Sequence, residues 1–219
     1  MRVNGLVNNV QVVNIPGAGG NIALGQLTTL EDANNLMVGG TGQIAAHAAR
    51  GTGPELSQVT AVSRVVEEYS LVVVPADSPY QSMDDLVTAW RADPAHVAWT
   101  GGGSFDQLVM ADIARTADVP VADTTYIPSD GGGEAIQALR SQGYDVTLTN
   151  WRALFVPPGV SAEERTELEA LIAEAVDTPE WKEAVQRNYW NPVPLSGAEL
   201  EEFIAAEKER IGTLTEEVK

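Results

Sequence analysis

"VVNIPGAGGNIALGQL", Val12 to Leu27, holds the reading that decides the fold. A β-branched run stops at Asn14, and the chain turns through Pro16, Gly17, Ala18, Gly19 and Gly20. Apolar residues then resume with helical spacing, which makes a strand, a tight turn and a helix in direct succession. The same arrangement recurs in "AWTGGGSFDQL", Ala98 to Leu108, and in "YIPSDGGGEAI", Tyr126 to Ile136.

A glycine turn that opens a helix can hold an anion. The first N–H groups of a helix lack intrahelical acceptors and point outward, and the helix dipole favours negative charge there by about 0.3–1 kcal/mol. Glycine lets a ligand approach the backbone and permits positive φ. A carboxylate or phosphate then fits without a cationic side chain. The plainer alternative, a turn that only lets helix pack on strand, stays open for each site taken singly. The nucleotide motifs fail. Gly17 and Gly19 are followed by Ile22 where a dinucleotide fingerprint needs a third small residue, and Gly101 and Gly103 are followed by Asp106. There is no P-loop. Gly102, Ser104 and Asp106 resemble a nucleophile elbow without its last glycine, and Ser104 with Gln107 reads equally as a capping box.

Composition narrows the function further. There is no cysteine, so disulfides, thiolate catalysis and cysteine-held zinc are excluded. The two histidines, His47 and His96, have no metal-ligand spacing. The net charge of −18 disfavours nucleic acid and anionic membrane surfaces. Residues 161–219 carry 15 acids against 6 bases, which reads as solubility or as an acidic docking face. No apolar run approaches the roughly 20 residues of a membrane span, and no signal segment is visible. Nothing points to a catalytic base. The chain reads as a binder, with no cofactor and no metal expected.

Short apolar runs at Val10–Ile15, Asn35–Gly39, Leu71–Pro75, Val97–Thr100, Thr124–Ile127, Val146–Thr149 and Ala153–Val156 predict strands. Ser82 opens a helix that buries Leu86, Ala89 and Trp90. Ser161 with Glu164 opens another that buries Leu168, Leu171, Ile172, Ala175 and Val176. Thr178 and Pro179 start a third, and Ser196 a fourth with Leu200, Phe203, Ile204 and Ile211 inward. Strands alternating with helices give an α/β fold with a largely parallel sheet.

Five stretches, in this order, carry a resemblance: "VQVVNIPGAGGNIALGQL", "LVVVPADSPYQSMDDLVTAW", "HVAWTGGGSFDQL", "YIPSDGGGEAI" and "GYDVTLTNWRALFVPPGVS". The chain resembles the receptors of tripartite tricarboxylate transporters, the TctC or Bug family, over nearly its whole length. The resemblance implies a two-lobed periplasmic-binding-protein-like fold of type II, in which α/β lobes close on a small organic anion. Lobe one is expected to use 1–98 and 152–219, and lobe two 99–151. Family members begin with a further strand and glycine-rich loop, and they carry a stretch near 142/143, where Ser141 and Gln142 here abut Gly143 and Tyr144 directly. Both are expected to be missing from this sequence.

The resemblance also implies a carboxylate ligand: a tricarboxylate, a dicarboxylate, an acidic amino acid or an aromatic acid. It would be held by backbone amides and small hydroxyls and passed to membrane transporter subunits by a periplasmic or extracytoplasmic monomer, free or lipid-anchored. The expected ligand-binding residues are Ala18, Gly19, Thr41, Gln43, Gly102, Gly103, Ser104, Ser129, Asp130 and Gly131. Ala18 and Gly19 offer N–H groups. Ser104 binds ligand or caps its helix. Thr41 and Gln43 follow a strand and line the cleft. Asp130 needs a hydroxyl, amine or water as partner. Arg64 and Arg152 are counter-ions or surface arginines, and Trp99 and Trp151 read as core. The rival readings are an α/β enzyme on a phosphorylated or acyl substrate, an effector-binding regulatory domain, and an orphan sensory receptor.

Overall fold

A computed structural model describes residues 5–70, 72–74, 78–102, 104–129 and 149–218. The chain divides into two compact units, Met1–Glu68 with Trp151–Lys208 and Tyr69–Asn150 with Glu209–Lys219. This division places 69–98 with the second unit, whereas the reading above places them with the first. The junction near 142/143 lies outside the described residues.

The first unit is built on a four-stranded sheet in the order β1 (Met37–Gly40), β5 (Asn150–Val156), β2 (Thr60–Glu68), β6 (Asn191–Ser196). The β1–β5 and β2–β6 pairs are antiparallel. In both of these pairs a strand returns to the sheet after a long excursion and runs opposite to its neighbour, whereas the second unit contains a parallel pair, as the strand–helix alternation implies. β2 is almost continuously buried, as a strand covered on both faces should be. β6 carries Pro192 and Pro194, which lack N–H donors, and it lies at the sheet edge where that is tolerated. Neither β2 nor β6 is among the sequence-expected strands.

Val10–Ile15 is a correction. It forms no strand, and Val12 and Val13 are 83% and 65% exposed. β-branched composition favours a pleated, half-buried surface, but among the described residues no strand pairs with this segment. Residues 72–74 are likewise without regular structure.

Two short helices lie at the β1 end of the first unit, α1 (Asn21–Leu27) and α2 (Thr41–Arg50). α5 (Ala162–Val176) begins at the Ser161–Glu164 capping box, and Thr178 accepts from the Trp181 N–H at the start of α6 (Pro179–Arg187). The core here joins Val62, Val65, Val66, Val156 and Ile172, flanked by Leu168, Trp181 and Trp190. α7 (Gly197–Glu217) closes the chain with Leu200 and Ile211 fully buried.

In the second unit, α3 (Met83–Ala92) starts at Ser82, whose hydroxyl accepts from the Asp85 N–H, and buries Leu86, Val87 and Trp90. A parallel pair, β3 (Trp99–Gly102) and β4 (Tyr126–Ser129), is joined through α4 (Ser104–Thr116). This is a compact βαβ unit. Trp90 packs on Trp99 with ring centroids 4.6 Å apart, and its indole N–H donates to Thr124 at 3.2 Å.

Candidate functional site

The first glycine turn is left-handed throughout. Ala18 has φ 53°, Gly19 has φ 62° and ψ 30°, and Gly20 has φ 87° and ψ −3°. The Gly20 N–H donates to the Gly17 carbonyl at 3.0 Å, and the Asn21 N–H donates to the Ala18 carbonyl. These angles and bonds describe two overlapping type I′ turns. Two donors are therefore used inside the turn. Among the described residues, no acceptor faces the N–H groups of Ala18 and Gly19. Glycine is required at Gly19 by contact as well as by φ, and at Gly20 by φ, with the movable end of Gln43 close by. A Cβ on Gly19 would stand 2.7 Å from the Ala46 Cβ, and one on Gly20 would stand 2.4 Å from the Gln43 Nε2.

α2 supplies the side chains around this turn. Gln43 accepts from the Gly40 N–H at 2.8 Å through Oε1, which directs its NH2 group to Gly20. Thr41 is fully buried, and its hydroxyl accepts from the Trp151 N–H at 3.1 Å, tying the start of α2 to β5. Arg50, at the other end of α2, donates through Nη1 to the Ala18 carbonyl at 2.7 Å. Asn21 lies just after the turn, 6% exposed, and among the described residues neither polar atom of its side-chain amide has a partner. Sequence reasoning missed both Arg50 and Asn21. An arginine 32 positions from its partner carbonyl gives no local signal, and Asn21 reads as an ordinary first helical residue.

In the second unit the parallel register sets Gly102 beside Ser129, at the carboxyl ends of β3 and β4 and immediately before α4. Crevices outside the carboxyl ends of parallel strands are where open α/β sheets hold ligands. Ser104 is the first residue of α4. Gly103, Asp130 and Gly131 lie outside the described residues. Gly101 is tightly surrounded, since a Cβ there would stand 2.5 Å from the Asp106 Cβ and 2.9 Å from the Tyr126 hydroxyl. Burial, and then the Asp106 charge, push the Tyr126 phenol up to about 12, so it remains a neutral donor. Asp106 sits in the first turn of α4, where the helix dipole favours a carboxylate.

The other candidates have structural partners. Arg152 pairs with Glu68 at 3.0 Å and also donates to the Trp151 carbonyl. The Arg64 guanidinium lies 4.2 Å over the Phe203 ring and donates to the Val193 carbonyl, and burial holds its pKa below the usual arginine value. Trp151 is fully buried and donates to the Glu207 carboxylate at 2.9 Å. His47 meets Glu55 at 3.0 Å, and the same carboxylate accepts from Lys208 and Ser57. Hydrogen bonds from Lys208 first, and then from Ser57, hold the Glu55 carboxyl below its ordinary pKa. Among the described residues, no group of three or more His, Cys, Asp or Glu could hold a metal ion.

Residues 3–150 match the model of the tripartite tricarboxylate transporter family receptor, TctC. The chain belongs to this receptor family. Its fold is that of solved family members. A TctC solute-binding protein from Polaromonas, solved without ligand, is 17% identical with a TM-score of 0.74, over 93% of this chain and 85% of that one. An R. palustris protein solved with adipate is 16% identical with a TM-score of 0.70, over 92% and 84%. MatC from Rhodopseudomonas palustris, solved with bound malate, is 17% identical with a TM-score of 0.62, over 93% and 85%. The search of curated proteins gave no match. The chain is thus a receptor of this family with the α/β fold of its solved members. Among the described residues, no helix is long and apolar enough to cross a membrane.

Proposed function

We propose that this receptor captures a small organic carboxylate outside the cytoplasm and delivers it to the membrane subunits of a tripartite tricarboxylate-type transporter. It does so as a monomer, without cofactor and without turning its ligand over. One observation carries the carboxylate reading. The turn uses the Gly20 and Asn21 N–H groups internally, and among the described residues those of Ala18 and Gly19 have no acceptor, in a chain of net charge −18. Neutral backbone donors suit a carboxylate in such a chain. Each charge-assisted hydrogen bond contributes roughly 1.5–3 kcal/mol, and a few of them support micromolar binding, near −8 kcal/mol, after ordering costs.

We assign Ala18, Gly19 and Gln43 in the first unit to the ligand, with Gly102, Gly103, Ser104, Ser129, Asp130 and Gly131 in the second. Family membership and the adipate- and malate-bound relatives support the ligand class. The test is calorimetric titration with malate, adipate, citrate, aspartate, benzoate and ATP. The expected result is saturable binding of one carboxylate class, weakened by Gly19→Ala. Binding of ATP with no response to any carboxylate would overturn the reading in favour of an enzyme on phosphorylated substrates.

A further inference from the structure

We propose that Arg50 is the positioning residue of the carboxylate turn, holding the Gly19 N–H in the direction that a ligand meets. The inference rests on the reading of that turn as a carboxylate donor.

The argument starts from Ala18. It is one of three non-glycine residues with positive φ in the described chain, and L-residues occupy that region at a cost. Something must hold it there. Its carbonyl receives two donors, the Asn21 N–H inside the turn and the Arg50 Nη1 at 2.7 Å. Only the second comes from outside the turn. In a planar trans peptide the carbonyl and the next N–H point in opposite directions, and the described chain contains no cis peptide. Fixing the Ala18 oxygen toward Arg50 therefore fixes the Gly19 N–H away from it. That N–H is one of the two donors left free. Arg50 is thus turned from the ligand side of this peptide, and its charge lies one peptide unit from the donor. It can raise the donor's pull on an anion without touching the anion. α2 carries the clamp at one end and Gln43 at the other, so a single helix fixes both sides of the turn.

The test uses the full ¹⁵N-labelled chain, acetate as the probe, and the variants Arg50→Met and Arg50→Lys. The Ala18 and Gly19 amide resonances are followed with and without acetate. In the wild type, acetate is expected to shift both amides. Arg50→Met should move these two resonances before any acetate is added and weaken acetate binding about tenfold, the equivalent of one charge-assisted hydrogen bond. Arg50→Lys, which keeps a charged donor, should restore most of the affinity. Unchanged affinity in Arg50→Met would overturn the proposal. So would weaker binding with both acetate-free resonances in their wild-type places, since Arg50 would then meet the anion directly. Wild-type amides that ignore acetate would overturn the carboxylate reading of the turn. In that event the acetate-free spectra alone judge Arg50, and unmoved resonances in Arg50→Met would end the positioning role as well. If Arg50→Met fails to fold, Arg50→Gln, a neutral and shorter donor, is read in the same way.

Discussion

Replacing Gly40 with alanine tests how the binding turn's supporting helix is joined to the sheet. Gly40 ends β1 and precedes α2. Its φ of 171° is extended backbone that any residue adopts, so the substitution is judged on space alone. A Cβ there would stand 1.9 Å from the Trp151 carbonyl oxygen and 3.0 Å from its carbon, both backbone atoms of the neighbouring strand. Carbon–oxygen contacts settle near about 3.3–3.6 Å, so the β1–β5 ladder must part by more than about 1 Å. Parting it stretches the buried bond from the Trp151 N–H to Thr41. Overpacking costs about 1–3 kcal/mol, and an orphaned buried donor about 1–3 kcal/mol more. Gly40→Ala should therefore cost about 2–6 kcal/mol. At about 2–4 °C per kcal/mol for a chain of this size, Tm should fall by about 4–24 °C. Gly42→Ala is the control. It lies inside α2 with nothing within 4 Å of its Cβ, so alanine should stabilise it by about 0.5 kcal/mol. The assays are thermal and urea denaturation followed by circular dichroism, with hydrogen exchange at the Trp151 amide as the local reporter. A Gly40→Ala protein within about 0.5 kcal/mol of wild type would refute the reasoning. So would a Gly42→Ala protein that falls as far.

Gly19→Ala should cost about 1–3 kcal/mol, because it combines φ 62° with a Cβ 2.7 Å from the Ala46 Cβ; thermal melts check the magnitude, and calorimetry the accompanying loss of carboxylate affinity. Glu55→Gln should flatten the acid side of the pH–stability curve. The folded carboxyl titrates below its ordinary 4.5, so its stabilisation is complete above that value and is lost as pH falls through the lower folded pKa. Because Glu55 is partly exposed, the effect should stay below about 1 kcal/mol, and parallel melts of both proteins between pH 7 and about pH 3 read it. An unchanged pH profile would remove the Lys208–Glu55 contact from the account.

Much of the fold was legible because helix starts are local chemistry. Ser82, Ser161 and Thr178 each accept from an N–H three residues on, as their spacing implies. Strands were harder to read, since a strand exists only with a neighbour. Val10–Ile15 has the right side chains and, among the described residues, no partner strand, whereas β6 contains two prolines and is a strand through its pairing with β2. The candidate site divides in the same way. The turn at Ala18 and Gly19 was legible because a run of glycines admits positive φ, which both residues adopt. Arg50 was not, because its role comes from a contact across 32 positions. The Thr41 hydroxyl looked available in sequence, where nothing reveals that the Trp151 N–H reaches it.

The strand order β1-β5-β2-β6 also fixes a sequence of events during synthesis. The two strands that leave the ribosome early, β1 and β2, are not neighbours in this sheet. Each waits for a partner made much later, β5 from residue 150 or β6 from residue 191. The βαβ unit of β3, α4 and β4 is complete within residues 99–129 and needs no such wait. Long-range pairing is slow because a large loop must close before it is rewarded. The nascent chain should therefore finish its middle before its beginning. Until β5 arrives, the binding turn is tethered to β1 as an unpaired strand, the stage at which a chaperone or a protease would meet it.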